Sequence, residues 1–204
     1  MARKRFKNPV NGINLVLPGL GPETEWTPPT EFPDLSGIDR LGLDIETCDP
    51  RLTTHGPGAQ RQEGFITGVS LACLPCPPYP EGGKWYFPVA HQAGGNLDPD
   101  TVFTWLKTSL KAKEYVGANF GYDLEWLETY GICPEGKMID VQVAEALIDE
   151  ESASFSLNAL CKKYLGRGKS EDLLKAAANA YGVDPKKEMW KLPSYYVGPY
   201  AEMD

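Results

Sequence analysis

Hydrophobic and polar positions alternate most cleanly along Leu41-Gly42-Leu43-Asp44-Ile45-Glu46. Residues two apart in a strand share a face, so Leu41, Leu43 and Ile45 make an apolar surface while Asp44 and Glu46 project from the other side. Similar patterning predicts strands over Phe65–Cys73 and Trp85–Ala90, and a shorter one at Tyr115–Ala118. Helical spacing takes over at Asp98-Pro99-Asp100, where a capping residue and a proline in the first turn open a helix with a Val102, Phe103, Leu106, Leu110 stripe. A helix is expected over Gly121–Tyr130, stopping at Gly131. After a brief strand at Met138-Ile139, Asp140 caps another that runs to Ile148. Two more follow, Ser156–Leu165 and Glu171–Tyr181, each closed by a glycine. Pro199 stands where a final helix can begin.

The order of elements sets the fold class. Three strands joined by non-helical loops (a polar loop over Cys48–Gly64 and a proline-rich turn over Leu74–Gly83) predict an antiparallel meander. Strand–helix alternation follows, and then helices alone. This order describes one α/β domain with a mixed sheet over residues 39–204. Residues 1–38 are rich in proline and glycine and read as an irregular arm with one short strand at Ile13–Leu17.

Charge and cysteine content narrow the class. A net charge of −8 argues against a general nucleic-acid coat, which is normally basic, but leaves room for an enzyme that commits acidic residues to cations. Five cysteines with no framework spacing suit a reducing cytoplasm. Cys73-Leu-Pro-Cys76 lacks the second ligand pair of a zinc site. No run approaches the roughly 20 apolar residues of a membrane span, and the basic start Met1–Lys7 is followed by Asn-Pro-Val-Asn-Gly rather than an apolar signal core, so no membrane partner is expected.

Three short stretches carry candidate chemistry. Asp44 and Glu46 repel each other unless a positive charge sits between them, and hard oxygen ligands at a strand end suit magnesium or manganese. In Val116-Gly-Ala-Asn119-Phe120-Gly-Tyr122-Asp123, an apolar strand runs into Asn119. Asp123 then falls near the positive end of the helix that opens there. At the C-terminus, Tyr200 and Asp204 are four apart and share one helix face. Taken singly, each stretch also suits a bland role: an acidic strand edge, a helix start, an ordinary helix face.

Together, Asp44-x-Glu46, Asn119-x-x-x-Asp123 and Tyr200-x-x-x-Asp204 resemble the ordered motifs of the DEDD 3′–5′ exonucleases in their tyrosine variant. The histidine variant would need a histidine where this chain has Pro199. Phe65-Ile-Thr-Gly-Val-Ser-Leu-Ala, Trp85-Tyr-Phe-Pro-Val-Ala-His91 and Ser156-Leu-Asn-Ala-Leu-Cys-Lys-Lys-Tyr-Leu165 extend the likeness to the proofreading domain of DNA polymerase I-type (family A) polymerases. It covers roughly residues 40–204.

The resemblance implies an RNase H-like (DnaQ-like) fold and phosphodiester hydrolysis with two divalent ions, Mg2+ or Mn2+. It implies Asp44 bridging both ions, Glu46 and Asp204 completing the site of the attacking water, Asp123 holding the second ion and Tyr200 orienting the water. By position, Thr47, Asn119, Phe120 and Tyr122 are candidates for holding a single-stranded or frayed 3′ end of DNA. His91 reads as structural, and Trp105 and Trp126 as core.

In that family the last aspartate lies within a helix that continues into a polymerase module. Ending on Asp204 is therefore expected of a fragment, of a split protein completed by a partner chain, or of a free-standing exonuclease, in that order. The long proline-rich loops suit a bacteriophage enzyme working in the host cytoplasm. Two other classes share the pattern: an RNA-trimming exonuclease of the ribonuclease D type, and a non-catalytic scaffold domain of a polymerase.

Overall fold

A computed structural model of the chain describes residues 21–203. The strand expected at Ile13–Leu17 and the final residue, Asp204, lie outside the described residues. The elements run β1 (Arg40–Cys48), α1 (Leu52–His55), β2 (Phe65–Cys73), β3 (Gly83–Pro88), α2 (Pro99–Ser109), β4 (Glu114–Gly117), α3 (Phe120–Thr129) and β5 (Lys137–Asp140). They continue as α4 (Val141–Ile148), α5 (Leu157–Leu165), α6 (Asp172–Tyr181), a 3-10 turn at Met189–Lys191 and α7 (Ser194–Ala201).

The five strands form one mixed sheet in the order β3-β2-β1-β4-β5. β1, β2 and β3 pair antiparallel, as short non-helical connections dictate. β4 and β5 join β1 in parallel, each reached through a crossover helix. The alternation in β1 therefore lies at the centre of the sheet. Leu41, Leu43 and Ile45 are buried with Val69, Leu71 and Phe87 under α2 and α3, whose Val102, Leu106, Trp126 and Leu127 complete the main core. Burying each such side chain contributes about 2 kcal/mol. Tyr86, on the opposite face, joins a second cluster built from Leu174, Ala177 and Ala178 of α6 and Val197 and Ala201 of α7. Helices thus cover both faces, and β1 runs between the two layers.

Local chemistry explains most boundaries. Asp98, Asp140 and Ser156 each accept hydrogen bonds from backbone N–H groups in the first turn of the helix they precede. Gly166 and Gly182 close α5 and α6 in the left-handed conformation. Two expectations are corrected. The loop after Cys48 contains the single turn of α1, and Pro199 lies inside α7 rather than at its start. A proline there leaves the carbonyl four residues earlier without its helical donor. That carbonyl belongs to Tyr195, and the Thr24 hydroxyl donates to it at 3.4 Å.

Residues 21–39 contain no helix or strand; their first part lies against α7, while Phe32, Leu35 and Ile38 pack on the main core. Trp26 packs so closely on α7 that a β-carbon on Gly198 would fall 2.2 Å from its ring. Its indole N–H donates to Glu202 at 2.9 Å.

Candidate active site

The expected carboxylates on β1 project from the face opposite Leu41, Leu43 and Ile45, half-buried between two strands. Across the β1–β2 ladder, Asp44 faces Ser70 and Glu46 faces Gly68. Immediately after Glu46 the register slips, because Thr47 pairs with Ile66 and Thr67 is left as the extra residue of a β-bulge. Bulges of this kind re-aim side chains at strand ends beside functional sites.

Asp123 reaches the same place from the other layer. β4 lies parallel to β1, and the turn after it places Asn119 in the left-handed conformation (φ 56°), so α3 starts beside β1 with Asp123 in its first turn. Asp123 is only 3% exposed, and its Oδ2 is buried with no hydrogen-bond partner. Burial above all, and then the negative charge of Asp44, push its carboxyl up to about 9; the backbone N–H of Ile45 offsets part of this. A buried carboxyl beside a second carboxylate, with one oxygen left over, suits a hard dication. Among the described residues, however, no three acidic, His or Cys groups are gathered into a ready-made cage. Asp204, the fourth expected ligand, lies outside them.

Tyr200 sits near the end of α7, half-buried against the second cluster, with the Lys169 ammonium 5.5 Å from its ring centre. The neighbouring Glu202 is turned toward Trp26 and lies 3.8 Å from the Lys84 ammonium. A cavity of about 140 Å³ runs from Asp44 past Gly42 and Ala72 to Ala201 and Glu202.

The substrate candidates divide. Thr47 and Tyr122 share a hydrogen bond of 2.7 Å between their hydroxyls, and Tyr122 also reaches Asp49 at 3.3 Å. Burial pushes the Tyr122 phenol up to about 12, so it stays protonated as a donor. Asn119 is exposed, and its side chain makes no capping bond. Phe120 is different: it is 2% exposed and lies in the main core, so its ring offers no stacking surface to a base. The left-handed turn at Asn119 directs it inward.

Two supporting groups went beyond what spacing could identify. Asp140 caps α4, as expected, but its carboxylate also accepts from the backbone N–H groups of Asn119 (3.3 Å) and Phe120 (2.8 Å). One side chain thereby holds the starts of both α3 and α4. Tyr86 stands in line with Ser70 and Asp44 across three strands. The sequence predicted the strand that carries Tyr86, but the register that puts it in line with the carboxylates is not written locally.

Residues 82–204 match the family model described as 3′–5′ exonuclease. Over 188 residues the chain is 42% identical to a DNA-directed DNA polymerase of Pseudomonas phage M6, an alignment covering 89% of this chain and 27% of that protein. The chain thus spans about a quarter of that relative's length. Among solved structures it is similar to Trypanosoma brucei RNase D, with a TM-score of 0.55 and 22% identity over 83% of this chain and 54% of that one. It is also similar to the RNase domain of the yeast Pop2 protein, with a TM-score of 0.50 and 12% identity over 77% of each chain. At such identities the two structures speak to the RNase H-like fold alone.

Proposed function

Since the chain belongs to the 3′–5′ exonuclease domains of family A DNA polymerases, we propose that it removes nucleotides one at a time from a single-stranded or frayed 3′ end of DNA. It does so as the proofreading part of a larger replicative assembly, with the polymerase module in cis or on a partner chain, in the cytoplasm of a bacteriophage's host. Among the described residues no helix is long and apolar enough to cross a membrane.

The observation that carries this reading is the buried, partnerless oxygen of Asp123 beside Asp44, at the end of the central strand. Asp44, Glu46, Asp123 and Asp204 would hold two divalent ions, Mg2+ or Mn2+. The ions supply positive charge for the attacking and leaving oxygens of an in-line displacement. Asp44 is central, reachable from both layers. Tyr200, on α7, orients the attacking water through its phenol, in the tyrosine variant of the motif. Thr47, Asn119 and Tyr122 line the rim by which the 3′ end enters, and the Thr47–Tyr122 bond keeps two hydroxyls fixed toward a terminal sugar. Phe120, buried in the main core, presents no ring to that end.

The test is digestion of a 5′-labelled single-stranded DNA, and of RNA of the same sequence, with Mg2+. The expected result is a ladder shortening from the 3′ end of the DNA, abolished by a chelator and reduced about 10²–10³-fold by Asp44→Ala, a loss typical of removing a group that stabilises developing charge. Faster shortening of the RNA would assign the site to RNA trimming. Cleavage that survives Asp44→Ala would remove the carboxylates from the chemistry.

A further inference from the structure

Behind the two β1 carboxylates lies a buried hydrogen-bonded chain that none of the three motifs includes. Tyr86 is fully buried on the face that carries Asp44 and Glu46. Its ring lies over Gly68, the cross-strand neighbour of Glu46, so closely that a β-carbon on Gly68 would come within 2.2 Å of the phenol oxygen. The hydroxyl therefore sits beside Glu46, and of the two β1 carboxylates Glu46 acts on it more strongly.

The direction of each bond in the chain is fixed by its far end. His91 Nδ1 lies 3.1 Å from the carbonyl oxygen of Leu192, which can only accept. Nδ1 therefore carries the proton. His91 is 3% exposed, and burial pushes its imidazole down to about 4, so the ring is neutral and Nε2 is a bare lone pair. The Tyr86 hydroxyl, 2.6 Å away, must donate to it. The bulge residue Thr67 turns its hydroxyl to the phenol oxygen from the other side. Without His91, the Glu46 carboxylate, whose charge acts on the phenol more strongly than that of Asp44, is left to compete for its proton.

We propose that His91 is a positioning residue for the metal site: by accepting the Tyr86 proton it keeps the phenol from competing with a divalent ion for Glu46. The effect is one of withholding a competitor rather than adding a contact. The inference rests on the reading of Glu46 as a ligand, but the hydrogen-bond direction can be measured without metal.

The test uses the 204-residue chain, with Mn2+ as the probe. In His91→Leu the phenol is released to Glu46, and Mn2+ affinity is expected to fall roughly tenfold, the scale of one hydrogen bond to a charged group. In Tyr86→Phe/His91→Leu there is no phenol proton to release, and affinity is expected to return to within about twofold of the original chain. A packing role alone would weaken the double variant at least as much as the single one, and that result would overturn the proposal.

Metal-free NMR supplies the independent readout. The carboxyl carbon of Glu46 should shift in His91→Leu and return in the double variant. In the original chain, long-range 15N correlations should show His91 with its proton on Nδ1. The opposite tautomer overturns the inference even if no variant folds. Should the original chain bind no Mn2+ while the Glu46 shift moves as expected, the metal reading fails and the hydrogen-bond assignment stands.

Discussion

A carboxyl that is 3% exposed, faces a second carboxylate and leaves one oxygen without a partner is stable as an acid or beside a cation. Asp123 is that group, and its carboxyl stands at about 9 against 3.8 for an unperturbed aspartate. The sign of the linkage follows. A raised carboxyl contributes stability that is fully present below about 4 and is lost as pH climbs toward 9. Thermal melts of the metal-free chain are therefore expected to fall by several degrees between pH 5 and pH 9, at about 2–4 °C per kcal/mol for a chain of this size. Added Mg2+ should raise the melting temperature most at the alkaline end. Asp123→Asn should melt higher than the original metal-free chain at pH 8, the reverse of what most buried substitutions do. A melting temperature that is flat or rises with pH would contradict this account of Asp123.

At the same scale, alternation alone put Asp44 and Glu46 on one strand face and position put Asp123 near a helix start; it was the three motifs taken together, by resemblance, that made them candidates for one site. Phe120 escaped these signals. Adjacency to Asn119 suggested a rim position, but the left-handed turn at Asn119 sets which way the first helical residue faces.

Among the elements, α3 and α4 depend on each other through Asp140. Its carboxylate accepts backbone N–H groups of Gln142 (2.8 Å) and Val143 (3.4 Å) in α4 as well as Asn119 and Phe120 at the start of α3. Asp140→Ala deprives both helix starts of their partner. Urea unfolding should show a loss of about 1–3 kcal/mol. The rate of 3′ shortening should fall further than the loss of folded protein explains, because α3 carries Asp123. A change below about 0.5 kcal/mol would mean that water replaces the carboxylate at no cost.

Element types were legible because they rest on local signals: period-two runs, an acid or serine before a helix, a glycine after it. What stayed hidden was non-local. Pro199 is tolerated within α7 where Thr24, 171 residues before Tyr195, donates to the Tyr195 carbonyl that the proline leaves open. Tyr86 stands in line with Ser70 and Asp44 because of the β1–β2 and β2–β3 registers, and its ring leans over Gly68 toward Glu46. Neither pairing has a trace in the neighbouring residues.

Across the whole molecule, the proposed site draws on both helical layers and the central strand. One layer carries Asp123 and the other Tyr200, while β1, between them, carries Asp44 and Glu46. The arm at residues 21–39 ties α7 down through Trp26 and Thr24, so even the least regular part of the described chain bears on the position of Tyr200.

The central claim is that Asp44 and Asp123 form a dication site whose charge is incomplete without the ion. Metal binding must then strip the proton from Asp123. Calorimetric titration of Mn2+ at pH 7.5, repeated in buffers of different ionisation enthalpy, measures that proton directly. The account predicts release of close to one proton per chain at this site, absent in Asp123→Asn. Mn2+ binding without proton release and indifferent to Asp123→Asn, or no binding at all, would contradict it.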